Sequence, residues 1–411
     1  MNQSLSIWNH LAAAPHRSLF LVGAMQGTFT LLWWILVLLG RYGFLQISTE
    51  WAIAPSWAHA YLMIYGFFPF FIFGFLFTTF PNWMNGEKIK PSQYLSTCIF
   101  MLIGVILFYS GLFMGVWLVL IGISSMLVGW GVAIAALLKI LFQAKTEDKR
   151  HASIASVAFI FGWLGIASFF LWLSTDDVIY LNFARQAGIW FFLLPILLVV
   201  SHRMIPFFSS RVLENYVMVR PYWILWVMLA CSLGHGLLLL FNQPELTWVF
   251  DFALASCAFY LSIVWGLKRS FSVSLLAVLH ISFAWLSVAM FLSALQSLVF
   301  WLNYEPIILG LAPIHALVIG YFSSMVLGMA SRVTLGHSGR PLVLDPFTWA
   351  LFLGFQWATF FRILPDMISS LSDQQLLLYL IAGCILLVCF IAWALRFAPI
   401  YWRPRSDGKP G

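Results

Sequence analysis

The sequence predicts an all-α polytopic integral membrane protein of about twelve transmembrane helices with both termini cytoplasmic. Three observations carry this. First, 62% of the 411 residues are hydrophobic and only 9% charged, against about 25% charge in soluble domains; mean hydropathy is +0.95. Second, the apolar residues fall into runs near the roughly 20 residues that cross a hydrocarbon core. The twelve runs are 18–40, 57–80, 94–113, 115–142, 152–174, 184–208, 221–241, 247–267, 272–298, 306–331, 346–363 and 374–398. Third, threading the chain through those spans puts 18 of the 21 Lys and Arg residues on the side of both termini and leaves Arg41, Arg185 and Arg362 on the other. That asymmetry is the positive-inside signature, and a miscounted helix would scramble it.

The same asymmetry accounts for the net charge of +7, which reflects orientation and argues nothing for nucleic acid. The first run is too long for a cleaved leader and no small-residue cleavage site follows it, so it is read as a retained helix. The five cysteines (Cys98, Cys231, Cys257, Cys384 and Cys389) lie inside spans without CxxC spacing, as small hydrophobes do. The expected organisation is one transmembrane domain over 1–411, with a short cytoplasmic N-terminus (1–17) and a disordered cytoplasmic tail (399–411).

Taken in order, APHRSLF sets His16 and Arg17 at the cytoplasmic lip of the first span. The second contains His59, with Met63 one turn on, and Pro69, expected to kink it. The third and fourth are divided only around Met114–Gly115; with the fifth, they read as scaffold. KTEDKRH, including His151, is a solvated loop. The sixth ends in SHRMIPFFSSR, where Pro206 is expected to break the helix beside His202 and Arg203. His235 and His280 belong to the seventh and ninth spans, and Asp251 and Glu305 near outer helix ends are expected to reach water. The tenth contains His315 and is expected to end in a loop, RVTLGHSGRP, that gathers Arg332, His337 and Arg340 between glycines.

An ionisable side chain within a span marks a functional site by default. At 1.5 Å per residue, His315 lies about 13 Å below the outer start of its predicted span and His280 about 12 Å above the inner start of its own. In a core of about 30 Å, two antiparallel helices would then present both imidazoles to one metal or heme centre. The structural alternative for each histidine is an interhelical hydrogen bond. Arginine grips carboxylate and phosphate through paired N–H groups, so Arg203, Arg332 and Arg340 suit heme propionates or a lipid phosphate. There is no P-loop, no GxGxxG after a strand, no Ser-His-Asp pattern and no intramembrane carboxylate pair.

The stretches APHRSLF, AHAYLMIYGFFPFFIFGFLFTTFPNW, RMIPFF, LH-x-x-x-AWL and IHALVIG…ASRVTLGHSGRPL, in that order from residue 15 to 341, resemble the NnrS family. Its members are heme- and copper-containing polytopic membrane proteins linked to bacterial nitric-oxide resistance. The resemblance implies a bacterial inner-membrane location and heme, with copper as a second metal. It implies that His59, His280, His315 and His337 stand on the family's histidine positions and Arg203, Arg332 and Arg340 on its arginine positions, with His280, His315 and His59 as metal ligands. Where many members read HAHE, this chain reads HAYL, so Tyr61 and Leu62 replace a histidine and a carboxylate that a copper site on that helix would use.

The expected function is a heme-binding protein of the nitrosative-stress response, with nitric oxide as ligand and membrane lipid as surroundings. Turnover, sensing and sequestration of NO are all compatible with these residues, and they name no redox partner. A secondary transporter with a polar midplane pathway is the alternative of another class, and it would be colourless. A quinol-linked heme-copper reductase is a third, and Tyr61 and Leu62 count against it.

Overall fold

The computed structural model describes residues 7–46, 50–302 and 309–408; Glu305 and Lys409 lie outside them. The described chain is all-helical, with twelve helices long and apolar enough to cross a membrane. They are α1 (Pro15–Arg41), α2 (Pro55–Trp83), α3 (Pro91–Met114), α4 (Val116–Gln143), α5 (Arg150–Thr175), α6 (Val178–Val212), α7 (Tyr222–Leu240), α8 (Pro244–Val264), α9 (Ser274–Trp301), α10 (Ala312–His337), α11 (Pro346–Met367) and α12 (Gln375–Tyr401). A short helix, Ile7–Leu11, precedes them.

Local chemistry sets the boundaries. Proline stands in the first turn of α1, α2, α3 and α11, where its missing N–H costs nothing. Asp177 caps α6 by accepting the Ile179 N–H at 3.0 Å, and Asp345 caps α11 through the Thr348 N–H at 3.1 Å. The turn between α3 and α4 is Gly115 at φ 125°, a backbone only glycine adopts readily. Beyond it the two helices touch backbone to backbone. A Cβ on Gly104 would lie 2.7 Å from the Gly122 carbonyl oxygen, the close approach that small residues permit in membranes.

α2, α6 and α10, four spans apart, each contain a π-helical segment: Leu62–Phe67, Ala187–Leu193 and Ala316–Ser323. Each includes a glycine (Gly66, Gly188, Gly320) with a neighbour against its Cα; a Cβ on Gly320 would meet the Trp285 ring at 2.6 Å. These segments change the sequence reading of the prolines. Pro69 sits in the first turn of the α-helix that follows the π segment, so the irregularity precedes it. Pro206 lies inside α6, which continues to Val212, because the chain beyond it keeps its remaining i→i−4 bonds.

The described residues form two compact units. One comprises α1 to α5 with the first part of α6, together with 330–342 and 391–411. Its interior is aromatic: Phe73 stacks on Phe159 at 4.6 Å, and Trp130 meets the edges of Phe73 and Phe192. The Tyr65 hydroxyl donates to the Ala184 carbonyl at 2.5 Å. The second unit holds 193–329 and 343–390. There Trp265 donates to the Val219 carbonyl, and Trp285 Nε1 to Gln356 Oε1, whose Nε2 donates to Ser324 Oγ. Each indole or amide buried in these interiors with such a partner meets the demand that polar groups in lipid be satisfied internally.

Candidate functional site

His280 and His315 do not share a centre. In the second unit, Val278 packs against Gly328 and Trp285 against Gly320, so His280 is level with about residue 326 of α10. His315 lies about 11 residues away along that helix, about 16 Å at the helical rise. The expectation of equal depth fails because α10 starts at Ala312 rather than 306, which puts His315 in its first turn. His280 is buried, with Nε2 3.0 Å from Ser209 Oγ. Among the described residues, no three His, Cys, Asp or Glu side chains are grouped to hold a metal.

His315 has a different setting. Its Nδ1 lies 2.9 Å from the Leu311 carbonyl oxygen, a contact that makes Nδ1–H the donor and leaves the lone pair on Nε2. Metal-bound histidines are commonly oriented this way by a backbone carbonyl or a carboxylate. Leu311 is held in turn: its N–H donates to Asp366 Oδ2 at 3.2 Å. Asp366 also takes Arg362 at 3.0 Å, Gln375 Nε2 at 3.0 Å and the Tyr379 hydroxyl. A carboxylate network on α11 and α12 therefore fixes the start of α10. His59 occupies the corresponding place in α2, a few residues before the π segment, and its ring stacks on Trp34 at 4.0 Å with Arg41 over the same indole.

His235 and Asp251, left aside by the sequence reading, form a buried pair. His235 Nδ1 is 2.5 Å from Asp251 Oδ1, and Ser293 donates to Oδ2 at 2.7 Å. Asp251 is fully buried, so the expectation that it reaches water is wrong: the α7 and α9 side chains close over it.

The arginine positions divide. Arg203 is half-buried in α6, beside His202, whose ring packs against Tyr222 and Trp265. Arg332 is buried, and it and His337 belong to the closing turns of α10 rather than to a loop. Only Ser338, Gly339, Arg340 and Pro341 of the predicted RVTLGHSGRP loop follow the helix end. Arg340 ties its N–H to the Leu335 carbonyl, while its buried Nη1 makes no hydrogen bond to another described protein group.

Around this end of α10 the first unit gathers residues that the sequence scattered. The His16 and His337 rings face each other at 4.9 Å, and His16 Nδ1 is 3.4 Å from Thr78 Oγ1. Arg17, buried beneath them, donates to the carbonyls of His10, Tyr401 and Arg403 at 3.3, 3.2 and 3.0 Å, neutralising the negative end of α12. The charges of Arg17 and Arg405 both act on His337. The tail expected to be disordered from 399 instead remains helical to Tyr401 and docks on α10, the Ser406 N–H and hydroxyl both donating to the Ser338 carbonyl. Asp407 pairs with Arg405 at 2.7 Å and rests on Gly339, where a Cβ would lie 2.6 Å from its carboxyl carbon. His16, Arg17 and Arg405 were not among the predicted site residues. The APHRSLF match was the available signal for the first two.

The spans define a polytopic membrane protein, with an oriented imidazole at the head of α10 and a cationic cluster at its foot. The NnrS protein family matches residues 10–405, and the chain belongs to that family. Membership makes it a membrane protein of the nitric-oxide response in general terms. No curated protein matches the chain.

Proposed function

We propose that this protein binds heme in the bacterial cytoplasmic membrane, termini inward, with His315 as the iron ligand and nitric oxide as the molecule that reaches it. The observation that carries the reading is the contact of His315 Nδ1 with the Leu311 carbonyl, backed by the Asp366 network, which suits Nε2 to a metal. Heme held there by His315 would supply an iron able to bind NO. NO is small and apolar and crosses lipid without a dedicated channel.

The foot of α10 takes a separate anion. The orphaned Arg340 Nη1, with Arg332 and His337, fits a carboxylate or a lipid phosphate. Copper, the second metal implied by the family, has His59 as its candidate ligand on α2, where Tyr61 and Leu62 supply no further imidazole or carboxylate. The transporter reading draws on the three π segments, but these keep their spans continuous where transporter sites unwind them.

The deciding measurement is the absorption spectrum of detergent-purified protein made with ample heme, oxidised, dithionite-reduced and NO-treated. A Soret band that shifts with NO and is lost in His315→Ala is expected. A colourless wild-type protein overturns the reading and favours transport.

A further inference from the structure

We infer that the tail, residues 403–408, is a latch on the foot of α10 that opens when the His16–His337 imidazole pair beside it takes up a proton. The contacts that hold the tail are polar and fall next to that pair. The Ser406 N–H and hydroxyl donate to the Ser338 carbonyl at 2.9 and 3.0 Å, one residue past His337. Asp407, paired with Arg405, rests on Gly339, whose φ of 73° and missing Cβ admit the carboxylate. Arg17 of α1 donates to the Tyr401 and Arg403 carbonyls. From residue 403 on, the tail buries no apolar side chain. A segment held by a few hydrogen bonds and an ion pair is held weakly, so one added charge decides whether it stays.

The charges around the pair come from four elements. The charge of Arg405 acts on Arg17, both act on His337, and His337 and Arg17 act on His16. The two rings stand 4.9 Å apart, with His16 Nδ1 3.4 Å from Thr78 Oγ1 of α2. The short N-terminal helix brings His10, whose carbonyl Arg17 binds, and α12 brings the Tyr401 hydroxyl, bonded to Thr334. On α10 itself stand Arg332 and, past the helix end, Arg340. Among the described residues, Asp407 is the carboxylate bonded into this cluster, and Arg405 takes it at 2.7 Å.

Histidine changes charge between about pH 5 and 8. His16 is buried, whereas His337 is exposed, so His337 is the ring that solvent protons reach. A proton there puts a third cation beside Arg17 and Arg405, with Asp407 already taken. Of the three cations, only Arg405 belongs to a segment that can leave without unpacking a span. Once it has left, the carbonyl end of α10 favours the charge on His337. The released state therefore binds the proton better than the latched state, and by linkage acid drives release. The latch holds while the pair is neutral and is lost as pH falls on the side of the termini.

Limited trypsinolysis of the detergent-purified full-length protein reads the latch, and it does so whether or not heme is bound. Arg403 and Lys409 each precede proline, so Arg405 is where trypsin cuts the tail. Each rate is divided by that of a free peptide of the tail sequence at the same pH, which removes the enzyme's own pH dependence. The normalised cleavage after Arg405 is expected to rise several-fold from about pH 7.5 to about pH 5.5. In His337→Gln it is expected to stay at the slow rate at both. A wild-type rate that does not change with pH overturns the proposal. So does an acceleration that persists undiminished in His337→Gln, which would assign it to Asp407 or His10. Should that variant fail to fold, His337→Asn has the same two outcomes.

Discussion

At the scale of single residues, two buried groups dominate. The His235–Asp251 pair sits deep in the second unit with Ser293 as its third member. Removing one partner of such a pair strands the other in a low-dielectric interior, at a cost of roughly 3–5 kcal/mol. His235→Ala and Asp251→Ala should each lower the melting temperature strongly. The double change to His235→Leu and Asp251→Leu should cost clearly less than the sum of the two, read from a double-mutant cycle of thermal melts in detergent. Arg17 is the second. It holds three carbonyls at the junction of the N- and C-terminal segments. Arg17→Ala should release the tail, and limited trypsinolysis should then cut after Arg405 several-fold faster than in the wild type. An unchanged cleavage rate would show that Ser406 and Asp407 hold the tail by themselves.

At the scale of elements, the head of α10 is positioned from outside itself. Asp366 of α11 binds the Leu311 N–H and is steadied by Arg362, Gln375 and Tyr379. Losing a group that orients a metal ligand typically weakens binding 10–100-fold. Asp366→Ala should therefore weaken heme retention about 10-fold or more, measured by heme titration, while a Soret band still forms at saturating heme. His315→Ala should abolish the band at any heme concentration. Between α3 and α4 the contact is backbone on backbone at Gly104 and Gly122. Gly122→Val places methyl groups where the Gly104 carbonyl and the Phe108 amide already lie. Overpacking of this kind costs about 1–3 kcal/mol, and a lowered melting temperature without loss of heme per folded molecule is the expected outcome.

At the scale of the whole molecule, the distribution of basic residues makes a topological prediction. Reporter fusions placed after Gln143 and after Val212 should report the cytoplasm, and a fusion after Thr175 the opposite side. The reverse pattern would mean that the charge asymmetry does not set orientation here. The family match over 10–405 spans nearly all of the described chain, including both the His315 turn and the cluster of His16 and His337.

The number of spans, their approximate limits and the glycine turn at Gly115 were legible in the sequence because hydropathy adds up along the chain and glycine carries its conformational freedom wherever it stands. The candidate histidines and arginines were legible too, since an ionisable group in an apolar run is conspicuous. Which of them meet was not. A membrane helix is apolar on most of its faces, so the pattern gives little clue to its rotation or to its register against a neighbour. A six-residue error in the start of α10 was enough to join His280 and His315 on paper and to part them by about 16 Å in the fold. Tertiary structure alone brought His16, Arg17 and Arg405 to the foot of α10 and closed Asp251 against His235. Each is a contact between residues far apart in sequence, and such contacts are set by how the helices pack.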